Sequence, residues 1–177
     1  MSTDTRSTDT RTTDTRSTDT RGTDTRTTDT RTSSGSRTGT DVRSVVLDWT
    51  QAMDRHDPDA FAGFMSERCV FTNTGTGERL VGREAMRQDL IGLLARWGDL
   101  RIEVVNLLVS GESYAKEWVM TGVHTGDMPG LPATGRPFRI LGAGVGRLHD
   151  GQIIEVTEYW NLADFLGQVG VLPPLRN

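Results

Sequence analysis

Three stretches in the second half of the chain, Tyr114 to His124, Pro137 to Leu148 and Gln152 to Trp160, alternate in character at the two-residue period of a β-strand. Asp150-Gly151, between the last two, is a residue pair favoured in two-residue hairpins, so these two strands are expected to pair antiparallel. Because alternate side chains share a face, only two inner faces are possible. One carries Trp118, Met120 and His124, then Ile140, Gly142, Gly144 and Gly146, then Ile154, Val156, Glu158 and Trp160. The other would bury Glu117, Arg139, Arg147 and Glu155, at a far larger desolvation cost. The first is therefore the expected inner face, and Val119, Val123, Leu141, Ala143, Val145 and Ile153 fall on the outer one. So apolar an outer face predicts a homodimer.

The residues before these strands read as helices. Val42, Val45, Val46, Trp49, Ala52 and Met53 recur at helical spacing, giving a first helix to about Arg55. Asp57-Pro58 supplies an N-cap and a first-turn proline for a short second helix with Phe61, Phe64 and Met65. A short strand from Cys69 to Thr74 ends in the Gly75-Thr76-Gly77 turn. A third helix, Arg83 to Trp97, carries Met86, Leu90, Leu93 and Leu94 on one stripe. A further strand is expected near Arg101 to Val109, and a last helix over Leu162 to Gln168. Helices first and an antiparallel sheet after them make an α+β pattern.

Residues 2 to 31 are six copies of the pentapeptide Ser/Thr/Gly-Thr-Asp-Thr-Arg, and no Leu, Ile, Val or Phe precedes Val42. Residues 1–40 thus have nothing apolar to bury against the entropy of ordering them, and are expected to be a disordered arm. The arm holds seven Arg and six Asp, too balanced to clamp a polyanion, and has no apolar run that would make a signal peptide. The remaining 137 residues, 41–177, have the length of one domain; their 18 acidic and 13 basic residues do not form a nucleic-acid footprint. Neither nucleic acid nor membrane is an expected partner, and a cytoplasmic location is the simplest expectation. Cys69 is the one cysteine, in an apolar run, and reads as a buried inert thiol. Three scattered His and no Cys-x-x-Cys offer no ligand set, so no metal and no other cofactor are expected.

Gly122-Val-His-Thr-Gly126, Leu131-Pro-Ala-Thr-Gly135, Asp150-Gly-Gln-Ile-Ile154, Glu158-Tyr-Trp-Asn161 and Gln168-Val-Gly170 follow one another over roughly fifty residues. In order and spacing they resemble the C-terminal half of SnoaL-like polyketide cyclases, within the nuclear transport factor 2-like superfamily. The resemblance implies a cone-shaped α+β barrel, a curved and mostly antiparallel sheet wrapped around helices with an apolar pocket between them. It also implies a cyclase acting on a hydrophobic polyketide-like substrate. The acids and bases of the better-known relatives are substituted, however. Where ketosteroid isomerase has its base, its tyrosine and its oxyanion aspartate, this chain has Asn73, Trp49 and Gly144. The strand acid, strand histidine and late aspartate of the SnoaL pattern become Gly144, Val156 and Asn161, and Arg147-Leu-His149 is the nearest approach to the Arg-x-Asp pair of limonene epoxide hydrolase.

The polar groups left for catalysis are Glu158, His124 and Asn73. Glu158, between Val156 and Trp160 on the inner face, would be shielded from water, which suits a proton donor or acceptor; a salt bridge or a helix cap is the other reading. His124 either polarises a carbonyl or ties down the loop after it, and Asn73 is placed to orient a substrate oxygen. Trp49, Met53, Trp118, Met120, Gly142, Gly144, Val156 and Trp160 are the expected substrate-binding residues. The row Gly142-x-Gly144-x-Gly146 either widens the cavity or merely lets the sheet curve. With the usual acid and base replaced, ring closure is expected to rest on conformational restriction, with a pericyclic cycloaddition as one variant. A non-catalytic binder of a small apolar compound is the alternative.

Overall fold

In the computed structural model residues 41–173 are described, and the expectation about the arm lies outside them. Helix α1 spans Val42–Asp54, started by Asp41, whose side chain accepts from the Arg43 and Ser44 backbone N–H groups. Helix α2, Pro58–Gly63, begins at Asp57, which accepts from Ala60 N–H and precedes the proline at the first turn. Strands β1 (Met65–Asn73) and β2 (Glu78–Val81) form a hairpin before helix α3, Arg83–Arg96. Strands β3 (Trp97–Ser110), β4 (Ser113–His124), β5 (Pro137–His149) and β6 (Gln152–Trp160) follow, and helix α4, Leu162–Gln168, closes the order. The third predicted helix ends one residue early because Trp97 already pairs with His124 as the start of β3.

The six strands form one sheet in the order β2-β1-β6-β5-β4-β3. All neighbours are antiparallel except β1 and β6, which bring the first strand back beside the last. The result is the expected α+β cone: a curved, unclosed sheet around the helices. Asp150 and Gly151 both have positive φ (47° and 76°), as a tight hairpin of this kind requires. On β4 the alternation is strict, with Tyr114, Lys116, Trp118, Met120, Gly122 and His124 buried between more exposed neighbours.

On β6 the expected register slips. Arg147 pairs with Glu155 but Leu148 pairs with Ile153, which leaves Ile154 as the extra residue of a β-bulge. Ile153, placed on the outer face by simple alternation, is therefore fully buried, and Ile154 is only half-buried. Two apolar clusters fill the cone. One joins α1, α2 and α3 to β1 and the far ends of β5 and β6, around Val46, Trp49, Met65, Met86 and Val156. The other packs Trp97, Trp118, Met120, Phe138, Ile140 and Phe165 between the sheet and α4.

Candidate active site

The cavity lies where the two apolar clusters meet. Its sheet wall is built from Lys116, Trp118 and Met120 of β4, Ile140 of β5, and Glu158 and Trp160 of β6. Its helical wall is built from Trp49, Thr50 and Met53 of α1, Phe61 of α2, and Met86, Asp89, Leu90 and Leu93 of α3, while Phe71, Asn73, Trp97 and Ile102 complete the rim. Five of the expected site residues for which aromatic or thioether character was the argument, Trp49, Met53, Trp118, Met120 and Trp160, thus meet around one space. So do Glu158 and Asn73.

The space measures about 100 Å³, below the ~150 Å³ that holds a benzene ring and the ~300–1,000 Å³ of ordinary ligand pockets. It is not the wide cavity that one of the two readings of the glycine row implies. Each of those glycines lies under a large side chain from a neighbouring strand. A Cβ on Gly142 would collide with the Trp118 ring, one on Gly144 would lie 2.6 Å from the Glu158 carboxylate, and one on Gly146 would lie 2.6 Å from the Tyr114 ring. Gly142 and Gly144 therefore seat the side chains that form the wall and do not themselves line it, and Val156 packs into the core behind it. A multi-ring ligand enters only as side chains yield, and the unbranched Met53 and Met86 are the adaptable ones.

Glu158 is the centre of the sheet wall. Its Oε2 accepts from Trp118 Nε1 at 2.6 Å, and its Oε1 lies 3.3 Å from Lys116 Nζ. Lys116 is buried, with a side chain only 3% exposed, and its Nζ sits 4.1 Å from the centre of the Trp49 ring. An ammonium has three N–H groups. The Lys116 ammonium is ion-paired with Glu158 and rests over the indole face, and among the described residues it makes no hydrogen bond, leaving donor capacity for a ligand oxygen. Both Glu158 oxygens are meanwhile engaged, so Glu158 orients Lys116 and Trp118. Tyr114, two residues before Lys116 on the same face, has a buried hydroxyl with no partner among the described residues, and burial, with Glu158 adding to it, pushes its pKa well up.

Asn73 Oδ1 accepts from Gly75 and Thr76 N–H, closing the turn after β1, and from Trp160 Nε1 at 2.7 Å. It fixes the Trp160 ring at the cavity. His124 stands apart from the cavity: it is fully buried in the second apolar cluster, near Phe165, with Nδ1 3.2 Å from Thr134 Oγ1. That bond reaches across the loop that follows β4. Asn161 caps α4 through Asp164 N–H. Cys69 is buried and burial raises its thiol pKa.

Two ionisable residues of the site escaped the sequence reading. Lys116 occupies the same alternation as Trp118 and Met120, and that alternation was the signal for it. Asp89 lies three residues after Met86 and four before Leu93, inside the apolar stripe of α3. Its carboxyl is pushed up to about 6, first by burial and then by Glu78, with Arg96 pulling the other way.

A cone of this kind with an apolar, aromatic cavity defines the nuclear transport factor 2-like class. Within it, residues 43–169 match the model of the SnoaL-like polyketide cyclase family, and the chain belongs to that family. Among solved structures it is similar to AclR from Streptomyces galilaeus, named as a candidate hydroxylase, at 21% identity and a TM-score of 0.67 over 77% of this chain and 85% of that one. It is similar also to wild-type IdmH from Streptomyces antibioticus, named as a candidate polyketide cyclase, at 23% identity and a TM-score of 0.65, covering 73% and 99%. A candidate polyketide cyclase from Xanthomonas campestris pv. campestris gives 27% identity and a TM-score of 0.64, covering 73% and 96%. No curated protein matches the chain. Names on this shared fold range from hydroxylase to cyclase, so the reaction has to be argued from the site. No helix among the described residues is long and apolar enough to cross a membrane.

Proposed function

We propose that this domain closes a ring in a hydrophobic polyketide-type intermediate that carries carbonyl oxygens, by holding the chain folded in the aromatic cavity and polarising a carbonyl with Lys116. The observation that carries this reading is the chemistry of the lining. Apart from Glu158, Lys116 and Asp89 the wall is mostly aromatic and aliphatic, yet two of the lining indoles, Trp49 and Trp97, have a buried Nε1 with no acceptor among the described residues. A buried donor left unpaired costs about 1–3 kcal/mol. A ligand with several ketone or phenol oxygens would remove that cost at each donor it reaches, whereas a plain hydrocarbon would not. Restricting a flexible chain to a reactive conformer supplies up to about 7–11 kcal/mol of the barrier in the best intramolecular cases. Lys116 adds electrostatic stabilisation wherever negative charge develops on oxygen.

The test is incubation of the purified protein with a linear poly-β-ketone precursor of an anthraquinone-type ring system, with product detection by mass spectrometry. A cyclised product formed faster than in buffer, and lost in Lys116→Met, is the expected result. Quenching of tryptophan fluorescence by the precursor without any new product would instead establish a binding or sequestering protein.

A further inference from the structure

The cavity has two chemically different walls. The sheet wall holds a linked set of partners, Lys116 with Glu158 and Glu158 with Trp118, in which Lys116 keeps donor capacity for a ligand oxygen. The helical wall holds one ionisable group, Asp89, among Met86, Leu90 and Leu93. Among the described residues nothing donates a hydrogen bond to its carboxyl. The charges that act on it are Glu78 on β2 and Arg96 about two turns along α3, and Lys116 and Glu158 line the same cavity. A carboxyl half-buried in a cavity wall without a hydrogen bond is destabilising in its charged form, and nothing in the packing requires an acid there.

We infer that Asp89 is the proton-transfer residue of this cavity, taking a proton from carbon next to a carbonyl whose oxygen is held by Lys116. The inference rests on the proposed function for its substrate class, an enolisable polycarbonyl compound, but not for its test. In the forward step the Asp89 carboxylate accepts the α-proton, the C–H electron pair becomes the enolate π-bond, and the enolate oxygen takes up the charge beside the Lys116 ammonium. The enolate carbon then attacks a second carbonyl of the same chain, forming the C–C bond as that C=O becomes an alkoxide. The alkoxide takes back the proton from the Asp89 carboxylic acid. Atoms and electrons balance without an oxidant, a reductant or a further reactant. The same carboxyl serves as base and then as acid, and a group that titrates close to neutrality is suited to both.

A substrate-independent probe tests the assignment. 5-Nitrobenzisoxazole is a planar bicycle that opens to a coloured cyanophenolate when a base removes the C–H proton of its isoxazole ring; the C–H electron pair completes the nitrile, the N–O bond breaks and the phenolate oxygen takes its electron pair. The full-length protein should accelerate this opening, with a rate that rises through an ionisation near that of Asp89. Asp89→Asn, folded by circular dichroism, should lose a hundredfold or more and lose that ionisation, and Asp89→Glu should recover part of both. A parent protein that gives no rate above buffer, or an Asp89→Asn variant that keeps rate and profile, overturns the inference. The two readings separate cleanly: Asp89-dependent opening of the probe without any cyclised polyketide would sink the proposed function alone, and cyclisation unchanged in Asp89→Asn would sink the inference alone.

Discussion

A lysine in the middle of a strand is usually assigned to solvent, because an isolated ammonium is among the costliest groups to bury. Lys116 is buried all the same, since Glu158 on β6 and the face of Trp49 on α1 meet it there, and neither partner is near it in sequence. That is why Glu158, Trp118 and Trp160 were legible as members of the site while the group that decides what Glu158 does was not. Asp89 was hidden differently, by the habit of reading an apolar helical stripe through its apolar members. Its raised pKa has a consequence for stability. Between the ordinary value of 3.8 and about 6, the folded state keeps a proton that the unfolded chain has released. Stability therefore falls as pH rises through that window, and the penalty is complete above it. Asp89→Asn removes the ionisation and keeps the shape. It should be more stable than the parent by on the order of 1–3 kcal/mol at pH 8, with the difference closing towards pH 4. Urea unfolding at both pH values measures this, and a difference of equal size at both would mean that the effect is packing and not charge.

Elements differed in how much of themselves they wrote into the sequence. Helix α2 announced its start through Asp57-Pro58, and in the fold Asp41 and Asn161 cap α1 and α4 in the same way, each side chain accepting from a backbone N–H one turn on. Strand β2 did not: four residues, mostly exposed, offer no alternation to read. The bulge at Ile154 was equally silent, because a single extra residue changes no local pattern yet turns Ile153 inward. On β5 the glycines are matched to side chains from both neighbours, Gly142 to Trp118, Gly144 to Glu158 and Gly146 to Tyr114. A methyl group at Gly142 would push the Trp118 ring, and with it the indole N–H, away from Glu158. Gly142→Ala is accordingly expected to cost about 1–3 kcal/mol, as overpacking does, and to weaken ligand binding in the cavity. Gly167→Ala in α4 provides the contrast, since a Cβ there meets nothing within 4 Å; it should stabilise the domain by up to about 1 kcal/mol through helix propensity. Thermal melts of the two variants side by side decide the point, and a Gly142→Ala protein as stable as the parent would show that the wall is slack.

At the scale of the whole domain, the sheet divides two environments. Its concave side holds the cavity, and its convex side leaves Leu141 59%, Tyr159 50% and Val145 42% exposed on adjacent strands, with Ala143 between them. Val119 pairs with Leu141 and Glu117 with Ala143, so the apolar patch is continuous from β4 across β5 to β6. Charges of both signs lie on the same face, Glu117 on β4 and Arg139 and Arg147 on β5, with Arg147 bonded to Glu155 of β6 through two contacts. A face that carries an apolar centre with acid on one strand and base on the next is self-complementary under a two-fold axis, because each copy then sets its acidic strand against the other's basic one. We expect a homodimer through this face. Leu141→Glu would put a charge at the centre of the patch, where desolvation with no partner opposes association, while its side chain points away from the cavity. Light scattering of the parent at micromolar concentration should give twice the chain mass and that of Leu141→Glu the chain mass. Ring opening of the nitrobenzisoxazole probe should be unaltered by the substitution, since no cavity residue lies on the convex side. A parent that runs as a monomer removes the interface, and a dissociated variant that loses activity would mean that the second copy supports the cavity through the sheet.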